Sequence, residues 1–416
     1  MVSFIAWSRA ERLREKKVMH TMARAGASVC CVVGAFFCFA LSAVGVSVAH
    51  ARGEIDSAEL RVARPGAILR VWPLEGGAPA GARAYRVLYR STGLQDEPIA
   101  VSGAIMFPTG PAPVGGRDIV AWAHPTTGVA NHCAPSLEPG LAGTIPGLEE
   151  MLAQGHVIAA TDYEGLGTPG IHAYLVGSSE ARAVLDSVRA ARSLPGTNAS
   201  ARFIVWGHSQ GGHAALFTGE LASIYAPELK LMGVAAAAPP TDLAAIFEAD
   251  RDTTTGRMLT AMTVSSWSRI YRLPTGDVIA PAARQSYERV ASDCIRSIGE
   301  YLTAVTDERP LERAFLAQNP VRLAQWSSII KRNSASNGPI GAPMFIAQGT
   351  ADDVVRPPIT RQYVEQRCRA GESVTLVSMT GVSHMYAASA STVPTLDWMA
   401  DRFAGKAVRN DCGRLR

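Results

Sequence analysis

The chain has 416 residues, 47% of them hydrophobic and only 18% charged, with 38 glycines and 25 prolines. That balance excludes an intrinsically disordered chain, which is charge-rich and apolar-poor, and a lone coiled coil, which glycine and proline at this density would break. Of 40 basic and 36 acidic residues, six and two lie in the first 51 positions, so 34 of each sign remain; no basic surplus is left to attract a nucleic acid.

Residues 1–51 read as an export signal. A basic stretch ends at Arg24, an apolar run covers Ala25 to Val48, and Ala49-His50-Ala51 supplies a small-x-small cleavage pattern. The competing reading is an uncleaved anchor, since 24 fairly apolar residues can span a bilayer. Glycine and serine interrupt the run, which favours cleavage and a secreted or periplasmic product. Cys30, Cys31 and Cys38 leave with the leader. The remaining Cys133, Cys294, Cys368 and Cys412 allow three connectivities. In an oxidising compartment the preferred pairing is Cys133–Cys294 with Cys368–Cys412, the alternative being four buried free thiols. The second bridge would tie down the C-terminal tail, and by loop-closure entropy contribute about 4 kcal/mol.

Next come two β-rich runs, Ala84–Ser91 and Ile99–Phe107, flanking a polar turn. From Asp118 the pattern changes to short apolar runs (Ile119–Ala123, Val157–Ala160, Phe203–Trp206, Leu231–Ala237, Met344–Ala347, Val374–Val377) alternating with helix-like stretches. Runs this short and this uniformly apolar predict strands buried on both faces, hence an α/β protein with a mostly parallel central sheet between helices. One helix is expected from a cap at Ser178 or Ser179, with Val184, Leu185, Val188 and Ala191 as its apolar stripe. The roughly 100 residues between Ala238 and Met344 exceed what a crossover needs. They contain helix-like pieces at Met258–Ile270, Tyr287–Thr303 and Arg309–Leu323, which predict an inserted helical cap. The expected organisation is therefore a leader at 1–51, a core at 52–240 and 342–416, and a cap at 241–341.

The chemistry centres on Gly207-His208-Ser209-Gln210-Gly211, a G-x-S-x-G pattern with an apolar strand before it and a small-residue helix after it. That context makes Ser209 a candidate nucleophile. A serine hydroxyl is weak near neutral pH and needs a positioned base. His208 sits inside the turn with its side chain directed away from the serine, and His213 lies on the following helix. Downstream of that helix the only histidine is His384, in a loop after the run Val374–Val377, where this chain order places the base. The acid is expected after the run Met344–Ala347, where Asp352 is chosen and Asp353 read as a turn residue before a helix opening at Pro357 or Pro358. An oxyanion hole needs two backbone N–H groups. Gln210, directly after the nucleophile, is one candidate. The other should follow Ile119–Ala123; Pro125 has no N–H, so Thr126 is chosen, with His124 shaping the loop. The glycine-rich Gly165–Gly170 reads as a loop on the active-site side. No zinc-like cysteine spacing and no phosphate-binding glycine loop occurs, so neither metal nor cofactor is implied.

The segments Gly207–Leu216, Ala160–Gly167, Thr126-Thr127-Gly128 and Gly349–Val355 together resemble the secretory lipase family of α/β-hydrolases, over about Arg83 to Cys412. The resemblance implies an α/β-hydrolase fold with a helical cap, and a Ser–Asp–His hydrolase of fatty-acyl esters with Ser209, Asp352 and His384 in those roles. It also matches the two-disulfide arrangement. Pro125 departs from the family, which often has glycine there. The expected function is an exported lipase acting on a small-molecule or lipid ester, with transient contact at a lipid interface and no obligate protein partner. Its rivals are a short-chain carboxylesterase, an exported peptidase using the same three residues, and an inactive binding module on the same scaffold.

Overall fold

The computed structural model describes residues 56–335 and 338–414. The predicted leader lies outside them. The strands are β1 (Ile68–Pro73), β2 (Ala82–Thr92), β3 (Pro98–Pro108), β4 (Arg117–Ala123), β5 (Val157–Thr161), β6 (Ala199–His208), β7 (Lys230–Ala237), β8 (Met344–Gly349) and β9 (Val374–Met379). They form one sheet in the order β1-β2-β3-β5-β4-β6-β7-β8-β9. β1, β2 and β3 pair antiparallel, and β3 joins β5 antiparallel. From β5 to β9 every pairing is parallel.

The helices are α1 (Ser57–Val62), α2 (Leu148–Ala153), α3 (Gly177–Ser193), α4 (Gln210–Tyr225), α5 (Leu243–Asp250), α6 (Thr254–Ile270), α7 (Arg284–Ser292), α8 (Ile298–Glu308), α9 (Ala324–Arg332), α10 (Pro357–Arg369), α11 (Ala387–Ala390) and α12 (Thr392–Phe403). The pleat divides the central strands between two cores. Ile119, Ala121, Phe203 and Val205 pack with α3, α4 and α10. Val120, Trp122, Ile204 and Trp206 face α2 and α12, with the two tryptophan rings edge-on at 5.1 Å. Both faces are thus apolar, which is why the strands read as unbroken hydrophobic runs.

Helices α5 to α9 lie between β7 and β8 and share an apolar cluster with Val129 and Ala173–Val176. Two sequence expectations fail here. The predicted helix Tyr287–Thr303 is broken into α7 and α8, because Cys294 is bonded to Cys133 and Ile295 donates its N–H to Thr127 O at 2.9 Å. Ser297 then caps a fresh start. The predicted helix Arg309–Leu323 is instead two short 3-10 turns around extended chain, where Ile279 pairs antiparallel with Leu316. Pro310 and Pro320, lacking N–H groups, suit those turns. α3 also starts without a serine cap: Val176 holds the cap position, and the Ser179 hydroxyl bonds Glu164.

Cys133–Cys294 joins the segment after β4 to the stretch between α7 and α8, and Cys368–Cys412 joins α10 to the C-terminal segment.

Candidate active site

The turn from β6 into α4 is forced to be tight. A β-carbon on Gly207 would lie 2.0 Å from Gly211 O, and one on Gly211 would lie 1.8 Å from Ala123 O. Those are backbone atoms and cannot step aside. Ser209 at the apex has φ 53°, a value that a β-carbon disfavours. Its N–H is held by Ala237 O at 2.9 Å, on the neighbouring strand. We expect Gly211→Ala to cost about 3 kcal/mol or more in urea unfolding and to lower activity in proportion.

Asp352 follows β8 and is buried. Its Oδ1 accepts the N–H groups of Val354 at 3.0 Å and Val355 at 2.8 Å. Its Oδ2 accepts Gln348 Nε2 at 3.0 Å. The Thr360 hydroxyl donates to Gln348 Oε1 at 2.7 Å, so the Gln348 amide can present only its NH2 end to the carboxylate. His384 follows β9, with Nδ1 2.9 Å from Asp352 Oδ2 and Nε2 2.8 Å from Ser209 Oγ. Three side chains named from sequence thus meet in one hydrogen-bonded chain. Asp353 takes no part in it. Gln210 opens α4, where its N–H has no partner within the helix. Thr126 lies beyond β4 with its hydroxyl 2.9 Å from Tyr174 OH. His124 bonds Pro125 O and Asp162 O, as expected of a residue shaping that loop.

Several residues around the site have partners that the sequence reading did not assign. The buried His208 ring meets the His384 carbonyl through Nε2 at 2.9 Å, so the elbow also holds the backbone of the opposite loop. Desolvation, reinforced by the neighbouring His384, lowers its pKa to about 3. Glu180 accepts Gln210 Nε2 at 2.9 Å and Leu175 N–H at 3.1 Å, and faces His213 Nδ1 at 2.7 Å; His213 Nε2 lies 2.7 Å from Asn333 O. A glutamate and a histidine amid small apolar neighbours were the available signal, but α3 read as an ordinary amphipathic helix.

Buried neutral histidines make a pH prediction. His172 is lowered to about 4 by desolvation. With His208 near 3, both rings stay neutral in the fold at pH values where the unfolded chain, titrating near 6.5, takes up a proton. The stability they contribute is complete above that value and is lost as pH falls toward their folded pKa. Urea unfolding should therefore weaken by about 1.4 kcal/mol per pH unit for each histidine between roughly pH 6 and 4. His208→Asn should reduce that slope by one histidine's share.

Ser209 and Gln210 form the floor of a narrow slot with a cavity volume of about 40 Å³. Leu243, Ile246 and Phe247 of α5, Leu259 of α6, and Val354 and Val355 beyond Asp352 wall it, so it is strongly apolar. Among the described residues, the one histidine–cysteine grouping with ligand-like proximity is His132 with Cys133 and Cys294, and both sulfurs are spent in a disulfide.

The sequence profile of the secretory lipase family matches residues 145–411. The chain belongs to the secretory lipase family. It is a carboxylic ester hydrolase with the α/β-hydrolase fold. It is 23% identical over 371 residues to lipase A of Moesziomyces aphidis, covering 82% of this chain and 76% of that one. To the secreted triacylglycerol lipase LIP3 of Malassezia globosa it is 25% identical over 351 residues, 80% and 75% of the two chains. To a protein of Mycobacterium tuberculosis named as the probable inactive lipase MT1628 it is 25% identical over 373 residues, 82% and 79%. The closed-state crystal structure of Candida antarctica lipase A shares the fold, with a TM-score of 0.71, 21% identity and 86% coverage of each chain. A secretory lipase with two disulfides fits an extracellular location. No helix among the described residues is long and apolar enough to cross a membrane.

Proposed function

We propose that this secretory lipase hydrolyses acylglycerols through Ser209, His384 and Asp352, after export and removal of residues 1–51. The observation that carries the reading is the imidazole of His384 within hydrogen-bond distance of both the Ser209 hydroxyl and the Asp352 carboxylate, at the floor of an apolar slot. His384 Nε2 takes the hydroxyl proton as Ser209 Oγ bonds to the ester carbonyl carbon. The oxyanion is held by the N–H groups of Gln210 and Thr126, at the positive end of α4. His384 returns the proton to the leaving alcohol, and a water, deprotonated by the same nitrogen, releases the fatty acid and frees Ser209. Asp352 keeps the imidazole oriented and stabilises its cation. The α5–α9 insert serves as the cap, its apolar wall receiving the acyl chain. The substrate is a lipid ester met at a lipid surface, with no nucleic acid and no obligate protein partner.

The relative named as inactive makes an assembled site worth testing directly. A fluorophosphonate probe should label the wild-type chain at Ser209. The enzyme should release fatty acid from emulsified triacylglycerol and favour p-nitrophenyl esters of medium or long chain over acetate. Acetate hydrolysis with no activity on emulsions leaves the esterase reading; no labelling refutes the catalytic assignment.

A further inference from the structure

Among the described residues lining the slot there is one carboxylate, Asp250, the last residue of α5. It is 3% exposed, and its Oδ1 is shut off from solvent without a hydrogen bond. The nearest cation, Arg356, stands 3.5 Å from Oδ1 with 48% of its side chain in solvent, and directs the same Nη2 to Ala249 O at 2.6 Å. Burial, with Asp352 and Asp353 close by, outweighs Arg356 and pushes the Asp250 carboxyl up to about 6. The fold accommodates this residue closely. A β-carbon on Gly256 would lie 1.9 Å from Asp250 O and 2.7 Å from its Cβ. A buried carboxylate oxygen without a donor is costly, and an aliphatic side chain would finish this apolar wall without that cost. Arg356 pairs with Asp250 only loosely, so a donor arriving with the ligand would complete the hydrogen bonding that the fold leaves open at Oδ1.

We propose that Asp250 is a polar anchor in the slot, accepting a hydrogen bond from a hydroxyl carried by the ester. The enzyme then discriminates hydroxylated esters from plain ones. This rests on the reading of Ser209 as the nucleophile in the same slot. The hydroxyl can belong to the acyl chain, as in a hydroxyacyl ester, or to the alcohol, as in a partial ester of a polyol; the chemistry at Asp250 is the same.

Two matched pairs separate these sources: p-nitrophenyl octanoate against p-nitrophenyl 3-hydroxyoctanoate, and ethyl octanoate against 2-hydroxyethyl octanoate. In at least one pair, wild type should prefer the hydroxylated ester about tenfold or more in kcat/KM, as expected for a hydrogen bond to a charged group. Asp250→Leu should remove the preference. Asp250→Asn, which keeps an acceptor oxygen, should retain part of it. Because each ratio is taken within one variant, partial unfolding cancels. Equal ratios in wild type and Asp250→Leu for both pairs overturn the proposal. So does Arg356→Gln shifting the ratio as far as Asp250→Leu, which assigns Asp250 to the ion pair alone. The anchor is also readable without turnover. Ser209→Ala should bind octane-1,2-diol about tenfold more tightly than octan-1-ol, and adding Asp250→Leu should abolish the difference. Binding selectivity without ester hydrolysis by wild type would uphold the anchor and refute the hydrolase reading; hydrolysis without selectivity does the reverse.

Discussion

Ser209→Ala should lower kcat on p-nitrophenyl octanoate by about 10⁴- to 10⁶-fold and abolish fluorophosphonate labelling, while the unfolding midpoint barely moves. The size follows from what the hydroxyl does. It is the one atom of the site proposed to form a bond with the acyl carbon, and among the described contacts no second hydroxyl donates to His384 Nε2. What remains is slow attack by water, aided by the Gln210 N–H and by apolar binding in the slot. Stability should be spared because Ser209 Oγ bonds only His384 among the described contacts, whereas the elbow itself is held by the Ser209 N–H on Ala237 O and by the glycines. Loss of activity with a collapsed melting transition would point to a structural role instead.

Asp352→Asn should be nearly as severe, about 10⁴-fold in kcat. The surroundings dictate how the amide sits. Two backbone N–H groups, from Val354 and Val355, demand an oxygen at the Oδ1 position, so the new NH2 occupies the place of Oδ2. There it confronts the NH2 of Gln348, locked by Thr360, and His384 Nδ1. A donor facing Nδ1 turns that nitrogen into the acceptor and moves the ring proton to Nε2. A protonated Nε2 cannot remove the Ser209 proton. The rate should recover as pH rises and hydroxide replaces the missing base, which a simple misfolding defect would not do. Full activity in this variant would refute Asp352 as the acid.

Chain order carried much of this site. The strands buried on both faces, Ile119–Ala123 and Phe203–Trp206 among them, are visible because a parallel sheet between two helical layers leaves no polar face. Ser209, Asp352 and His384 are visible because each follows a short apolar run, although Val374–Val377, read as buried on both faces, lies in the edge strand β9 and is only partly buried. The cap was harder to read. Tyr287–Thr303 has helical composition throughout, yet a disulfide and one backbone hydrogen bond to Thr127 pull Asp293–Ile295 out of the helix. Arg309–Leu323 pairs with the distant Ile279, a contact no local pattern announces. α5 and α9, too short for a sustained stripe, went unread, and Asp250 with them. The roles of His208 and Glu180 went unread for another reason: their partners are a backbone carbonyl 176 positions away and a glutamine side chain 30 positions away, and neither leaves a periodic trace.

The bond between Cys133 and Cys294 spans 161 positions and fastens the insert to the loop after β4 that carries Thr126, one of the two proposed oxyanion donors. Any movement of the insert away from the slot is tethered at that bond. In a reducing cytosol the tether is missing. The insert is then held covalently only by its two chain connections, and a molecule retained there would guard its hydrophobic interior less well than the one delivered outside.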